Sequence, residues 1–472
     1  MLPSKPKIFH GCESEMENIM KMLGQQSPRI AILGGGGMGK TSLARAVMHH
    51  PQTSAKFDHM FFVSAEAATT SVELAALIGL HVGLDPGKDL TKHVVHYFSR
   101  KPRSLVVLDN LETVWEPIQS RGGVEEFLSL LTEVGHLALI ITMRGAERPA
   151  KVRWTHPFLL PLQPLSNEAA QQTFLEITDN AGKEGMDQLL RLTDNMPLAV
   201  DLIAHLTDYE GVDHVLTRWE KEKTALFAVG YDRKSNLDAS ITLSLSSPRI
   251  TSESKQLLSL LSALPNGLSD DQLVQSKFPI SNILSCKAAL LATALAYQDG
   301  NKRLRSLMPI REHIRQSLPP SQSLIECLRK HFFSLLKLFS KHNGEQLPPV
   351  IKQITLNFGN LQEVLQQGLY LNAPDLANTI SSIIFLNHFH RITRGGQTML
   401  MDYIQPILMK LGDSHLEIRF STETLKSREI CFADGQHLIT QTIPLVECVN
   451  NPLLTCESTC SIGVSMPNFI HP

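Results

Sequence analysis

The sequence predicts an α/β architecture: a parallel sheet with a phosphate-binding loop, then a helical lid, a winged helix and an α-helical C-terminal region. Three observations carry the prediction. The apolar run Ile30-Ala31-Ile32-Leu33 leads into Gly34-Gly35-Gly36-Gly37-Met38-Gly39-Lys40-Thr41, and Ser42 to Val47 then reads as a helix. The run Ser104-Leu105-Val106-Val107-Leu108-Asp109 reads as a short buried strand ending in a carboxylate. Strand-like and helix-like segments alternate as far as residue 165, after which helical spacing prevails.

The first run is a phosphate-binding loop in the order strand, loop, helix. The pattern GxxxxGKT asks for glycines at Gly34 and Gly39 and tolerates them at Gly35, Gly36 and Gly37, because backbone N–H groups must converge on a polyphosphate. Met38 sits within the loop and Ser42 follows it, so Gly34 through Ser42 form the candidate cofactor-binding segment. Lys40 supplies a positive charge to the outer phosphates. Thr41 offers a hydroxyl to Mg²⁺, and the helix that begins here directs its positive end at the same anion. In the second run Asp109 is the matching acid of a Walker-B strand, so Thr41 and Asp109 are the candidate metal ligands. ATP or ADP with Mg²⁺ is the cofactor set this combination asks for.

The other elements follow in order. Met60-Phe61-Phe62-Val63 is a strand candidate and Val72 to Ile78 a helix. Ala138-Leu139-Ile140-Ile141-Thr142 is a third strand of the same type and ends at Met143-Arg144. The C-terminal edge of such a sheet is where ligands bind, so Arg144 is either a cation that reaches a γ-phosphate or a plain surface arginine. Phe158-Leu159-Leu160-Pro161-Leu162 reads as an edge strand, since proline is poorly tolerated in a central one. Ser166 caps a helix, and a second helical pair is broken by Asp194-Asn195-Met196-Pro197, with proline suited to the first turn of the next helix. Between about 241 and 318 three helices, the third over Ser285 to Tyr297, precede a hairpin signal at Asp299-Gly300. From Leu324 the positions Leu328, Phe332, Leu335 and Phe339 keep helical spacing, without a clean repeat period. After Gly412 the periodicity fails. The expected domains are therefore 1–28 (leader), 29–165 (phosphate-loop domain), 166–235 (helical lid), 236–318 (winged helix), 319–412 (helices, TPR-like in character) and 413–472 (tail).

Composition narrows the class further. With 43% hydrophobic and 19% charged residues over 472 positions the chain is globular, and its formal charge of −2 exerts no net pull on nucleic acid or an anionic membrane. Apolar runs are too short to span a bilayer and no signal peptide opens the chain, so a soluble, cytoplasmic protein is expected. Seven cysteines do not make a disulfide framework, and Cys431, Cys448, Cys456 and Cys460 follow no standard zinc spacing. The nineteen histidines form no recognisable metal set.

The order of domains resembles the NB-ARC class of STAND signalling ATPases over roughly residues 6 to 318. Phe9-His10-Gly11-Cys12-Glu13-Ser14-Glu15 is similar to that class's N-terminal motif, with Cys12 where arginine is usual. Thr142-Met143-Arg144 looks like its phosphate sensor, and Met196-Pro197-Leu198-Ala199 looks like the element whose proline packs on adenine, which implies a cofactor contact for Pro197. Two departures stand out. The acid that normally follows the Walker-B aspartate is replaced by Asn110, which orients water but takes no proton. Glu112 is close enough to substitute, or is an exposed loop acid. The Met-His-Asp element is replaced by Leu307-Met308-Pro309-Ile310-Arg311, with Arg311 either a substitute phosphate contact or a solvated residue.

The candidate catalytic set is thus Asp109, Asn110, Glu112 and Arg144. The resemblance implies an ATP/ADP-controlled switch with slow hydrolysis, protein partners at the C-terminal helices and scope for a homo-oligomer when activated. It also implies a preceding effector domain; none fits before Lys7, so a missing segment or a separate subunit is expected to supply it. An AAA+-type remodelling ATPase is the rival reading. A winged-helix regulator on DNA ranks below it, because Ser285 to Tyr297 offers only Lys287 as a basic residue.

Overall fold

The computed structural model describes residues 2–84, 89–179, 181–222, 237–341, 347–370, 375–394, 397–426 and 432–448. It divides into two units, Met1–Ser262 with Ile280–Pro319 and Ala263–Pro279 with Pro320–Pro472.

The first unit is built on four parallel strands in the order β1-β4-β3-β2: β1 (Arg29–Gly34), β2 (His59–Ser64), β3 (Ser104–Asp109) and β4 (Leu137–Arg144). Every residue of β1 and β3 is buried, which explains why both read as unbroken apolar runs rather than alternating ones. Helix α1 (Glu13–Leu23), which the sequence did not announce, precedes β1. Helices α2 (Lys40–Met48) and α3 (Pro51–Lys56) join β1 to β2. Between β2 and β3 come a 3₁₀ turn (Ala65–Ala67), α4 (Ser71–Val82), fixed by a Thr70/Glu73 capping box, and α5 (Leu90–Ser99). Helices α6 (Glu112–Trp115) and α7 (Ile118–Thr132) lead to β4. Leu33, Val63, Phe98, Val106, Phe127 and Ile141 belong to one continuous core between sheet and helices.

Because the strands are parallel, their C-terminal ends share one edge. The register sets Gly34 opposite Arg144 and Ser64 opposite Asp109, so residues 45 to 110 positions apart in sequence meet there. The expected fifth strand, Phe158 to Leu162, does not form. Only a single parallel bridge joins Leu162 to Gly34, with Leu162 N–H donating to the Leu33 carbonyl at 2.8 Å. The edge position was right; Pro161 within the segment and Pro157 and Pro164 beside it remove the donors a longer ladder needs.

The lid follows as α8 (Asn167–Leu175), capped by Ser166, then α9 (Lys183–Thr193), α10 (Pro197–Glu210) and α11 (Val212–Glu222). Its expected end, 223–235, lies outside the described residues. Next come α12 (Leu237–Leu245) and α13 (Ser252–Ser262); α14 (Asp270–Gln275) belongs to the second unit. Helix α15 (Ile283–Ala292) stops five residues before the expected Tyr297, which instead opens the hairpin β5 (Tyr297–Gln298) and β6 (Leu304–Arg305). Asp299 makes the turn, its Oδ1 accepting from the backbone N–H groups of Asn301 and Arg303, both at 2.9 Å. Helix α16 (Met308–Ser317) closes the unit.

The second unit continues α17 (Gln322–Lys341), α18 (Leu347–Leu356), α19 (Phe358–Gly368), α20 (Asp375–Arg394), α21 (Leu400–Leu411), α22 (Ser414–Leu425) and α23 (Phe432–Cys448). Leu324, Leu328, Phe332, Leu336 and Phe339 are buried along α17, so the inward stripe follows i+3/i+4 spacing and uses Leu336 rather than the expected Leu335. Helices of 20, 10, 11 and 20 residues in succession supply no regular repeat. The tail expectation is corrected in part. Residues 414–425 and 432–448 are helical, Pro444 included, while 449–472 lie outside the described residues, as do the side chains of the four tail cysteines.

Among the described residues no helix is long and apolar enough to cross a membrane.

Candidate nucleotide-binding site

At the shared strand edge the first unit encloses a cavity of about 390 Å³. Its walls come from the loop Gly36–Ser42, from Asn110, Glu112 and Arg144 beyond the sheet, and from Pro197 and Leu198 of α10. Gly37 shows why the loop is glycine. It holds φ +75°, and a Cβ there would lie 2.8 Å from Met196 Cε and 3.0 Å from Leu198 Cβ. Its carbonyl accepts from Leu198 N–H at 3.1 Å, so the start of α10 rests directly on the loop. Pro197 occupies the first turn of α10, where no N–H is needed, and lines the cavity.

Lys40 opens α2 and is 8% exposed. Its ammonium donates to the carbonyls of Gly34 at 3.1 Å and Gly35 at 2.6 Å, which places those two glycines behind the cavity wall as acceptors. Burial, and secondarily the charge of Arg144, lower its pKa from 10.5 to about 8, against the opposing pull of Glu112 and Asp109. A buried cation held by neutral carbonyls is an unfilled demand for an anion.

Asp109 is fully buried. Its Oδ1 accepts from Thr41 Oγ1 at 2.9 Å and Thr142 Oγ1 at 2.6 Å, whereas Oδ2 is buried with no hydrogen-bond partner. An orphaned carboxylate oxygen beside a threonine hydroxyl fits a hard cation. Among the described residues no group of three or more His, Cys, Asp or Glu side chains could hold a metal. One carboxylate and one hydroxyl suit Mg²⁺, which keeps water and phosphate oxygens in its shell. Bound there, it would be held by Thr41 and Asp109 and would offset charge on the outer phosphates.

Asn110 has a reason that the sequence alone conceals. Its φ is +56°, a left-handed conformation in which asparagine is among the few comfortable residues, and its N–H donates to Thr142 Oγ1 at 3.1 Å. Glu112 is not an exposed loop acid. It is 5% exposed, and its two oxygens accept from Arg144 Nε and Arg144 N–H, both at 3.2 Å. Arg144 in turn is no plain surface arginine: it faces the cavity, and its Nη1 donates to Ser244 Oγ of α12 at 3.2 Å. Arg311 is neither solvated nor in the cavity. It is 8% exposed, and burial lowers its pKa while the charge of Asp194 opposes that shift. Asp194 Oδ2 also accepts from Met308 N–H at 2.5 Å, tying the lid to the start of α16.

Cys12 does line the cavity, at the mouth of α1. Burial and the charges of Glu15 and Glu13 push its thiol up to about 11, so it stays neutral and cannot replace an arginine's charge. Sequence reasoning missed Glu66, Asp201 and Leu243 as cavity residues. Asp201 had a usable signal, one helical turn beyond Pro197; Glu66 and Leu243 stand outside any motif.

A family model for the NACHT domain matches residues 28–181, the segment that carries the sheet, the loop and the start of the lid. Similar solved structures include a Walker-type ATPase of Pyrococcus abyssi, at 12% identity and TM-score 0.47, covering 67% of this chain and 99% of the other. A STAND protein with a tetratricopeptide repeat sensor from Pyrococcus horikoshii is similar at 14% identity and TM-score 0.33, covering 99% of this chain and 74% of the other. The Aeropyrum pernix ORC2 protein, solved as ADPNP and ADP complexes, is similar at 15% identity and TM-score 0.40, covering 69% of this chain and 95% of the other. No curated protein matches the sequence. The fold is an α/β P-loop NTPase sheet with helical additions. The matching model is that of NACHT and not of NB-ARC, which the sequence motifs resemble.

Proposed function

We propose that this chain is an ATP/ADP-controlled switch of the STAND type, nearest NB-ARC and NACHT proteins in organisation, that binds nucleotide with Mg²⁺ and hydrolyses it slowly. The observation that carries the reading is the bonding of Arg144. This residue ends β4 at the phosphate side of the cavity, yet its side chain is held by Glu112 and by Ser244 of α12. Helix α12 is tied in turn to α16, where Asp238 Oδ1 meets His313 Nδ1 at 2.8 Å. A γ-phosphate would compete with Ser244 for the guanidinium. ADP would not, so the two nucleotides differ in their free energy with the arrangement of α12.

Slow turnover suits this logic, since a switch must stay in one state long enough to be read. Asn110 in place of an acid favours it. Partners would be proteins that engage the C-terminal helices, which we read as TPR-like in role, and activation would assemble copies of the chain. The test is hydrogen exchange with ADP and with a non-hydrolysable ATP analogue. Exchange across 237–245 should rise with the triphosphate, and indistinguishable traces in the two states would overturn the switch.

A further inference from the structure

The cavity is polar around the loop and apolar along the lid. Lys40, Thr41 and Arg144 gather on the loop side, where a polyphosphate fits. On the lid side Leu165 and Leu198 line it, and the N-terminal segment is seated against the same wall: a Cβ on Gly11 would lie 2.6 Å from Ala169 Cβ and 3.0 Å from Leu165 Cδ2, so Ile8 and Phe9 join that apolar surface. Flat apolar walls suit the faces of a base. A nucleotide's sugar then lies between the two regions, and helix α10 leads from one to the other. Its start is fixed to the loop, where Leu198 N–H donates to the Gly37 carbonyl at 3.1 Å. From there α10 presents Pro197, Leu198 and Asp201 to the cavity, while Ala199, Val200, Leu202 and Ile203 are buried on its other side. Pro197 and Asp201 share one face at i and i+4, so the Asp201 backbone stands one turn, roughly 6 Å along the axis, beyond the residue that opens the helix.

The protein itself makes little use of the Asp201 carboxylate. It is half-exposed, accepts no hydrogen bond from the described residues, and meets His205 Nε2 at 3.9 Å. Burial raises its pKa against the pull of His205, so it has lost hydration without gaining a donor. Two hydroxyls on adjacent carbons match the two oxygens of one carboxylate, and a half-exposed acceptor suits a polar sugar better than an apolar base. We propose that Asp201 determines specificity for the sugar: its carboxylate accepts the 2′- and 3′-hydroxyls of a ribonucleotide whose phosphates rest on the loop, so the site selects ribonucleotides over deoxyribonucleotides. Resting on the nucleotide reading above, this assignment names the sugar that the same site accepts.

The test is calorimetric titration of the full chain with the Mg²⁺ complexes of ADP, 2′-deoxy-ADP and GDP, for wild type, Asp201→Ala and Asp201→Asn, beside thermal melts. Wild type should bind ADP about tenfold more tightly than 2′-deoxy-ADP, the scale of one hydrogen bond to a charged acceptor. In Asp201→Ala that preference should vanish and ADP affinity should fall about tenfold or more, because removing either partner removes the same bond. Asp201→Asn keeps the shape and one acceptor oxygen, so it should keep a reduced preference; both variants should melt as wild type does. Wild type that binds ADP and 2′-deoxy-ADP alike, or a preference that survives in Asp201→Ala, overturns the sugar role and leaves the nucleotide site standing. A wild-type preference for GDP over ADP that disappears in Asp201→Ala, with no dependence on the 2′-hydroxyl, places the carboxylate at the base edge and equally overturns it. Wild type that binds none of the three overturns the site itself.

Discussion

The edge of the sheet and the C-terminal helices both bury polar side chains, but the two regions spend them differently. In the second unit the Asn360 and Glu423 side chains close on polar neighbours, while Asn387 Nδ2, His390 Nδ1 and Thr398 Oγ1 are buried there without a hydrogen-bond partner among the described residues. Asn360 Oδ1 accepts from Asn266 N–H at 2.8 Å, its Nδ2 donates to the Gly267 carbonyl at 2.8 Å, and its own N–H donates to Asn266 Oδ1 at 3.0 Å. Glu423 Oε1 likewise accepts from Arg391 Nε at 2.9 Å. At the sheet edge Lys40 rests on carbonyls and lines a cavity, and Asp109, bonded to the lining residue Thr41, keeps a buried oxygen unpartnered. Burial of polar groups is therefore structural around Asn360 and Glu423, and at the loop it sets a buried cation and a carboxylate beside a cavity.

The largest expected effect breaks the comparison at Lys40. Lys40→Ala should weaken triphosphate binding about ten- to hundredfold, because charge-assisted phosphate contacts contribute on the order of 1.5–3 kcal/mol. The ligand-free protein should be no less stable, since the substitution removes a desolvated cation. Fluorescent-ATP titration beside thermal melts measures both, and a melt that collapses with unchanged affinity would place Lys40 among structural groups.

Asn360→Ala should do the reverse. It removes the side-chain bonds to Asn266 N–H and the Gly267 carbonyl, so stability should fall by about 2 kcal/mol while nucleotide affinity stays at the wild-type value. Urea unfolding with a parallel binding titration decides it. Asp109→Asn ranks third: the shape is kept and the charge removed, so Mg²⁺-dependent affinity for ADP should drop about tenfold and Mg²⁺-free affinity hold. Equal losses with and without Mg²⁺ would remove the metal role.

The smallest effect is a pH dependence within the helices. Burial pushes the Glu423 carboxyl up, but hydrogen bonds from His388 and Arg391, together with their charges, outweigh it and hold the group below its ordinary 4.5. A depressed folded value means that the pair's contribution is complete above about 4.5 and is lost as pH falls through the folded value. Glu423→Gln should flatten that acid limb in urea melts from pH 7 to 3; an unchanged limb would show that other carboxylates govern it.

The comparison also explains what the sequence could disclose. The loop, β1, β3, β4, Arg144 and the first turn of α10 were legible because one motif or one apolar run dictates each of them. Glu112 was misjudged because its burial depends on the guanidinium 32 positions away, and Asn110 read as a chemical loss because a backbone dihedral is invisible in sequence. Glu66 was missed for a related reason: only the pairing of β2 with β3 brings it to the wall. The strand expected at Phe158 shrank to one bridge because prolines outweighed its apolar pattern. In the tail, mixed Thr, Ser and Pro obscured helical faces that packing supplies, as α22 and α23 pack on each other.

The central claim is that the buried polar set at the sheet edge awaits a Mg²⁺-bound adenine nucleotide. Its most direct test is to release and identify any nucleotide that co-purifies with the full chain, then titrate the stripped protein with Mg²⁺-ATP and Mg²⁺-ADP by calorimetry. The account predicts close to one equivalent of ATP or ADP per chain and saturable rebinding of both. A chain that carries no nucleotide and shows no saturable heat with either would contradict it.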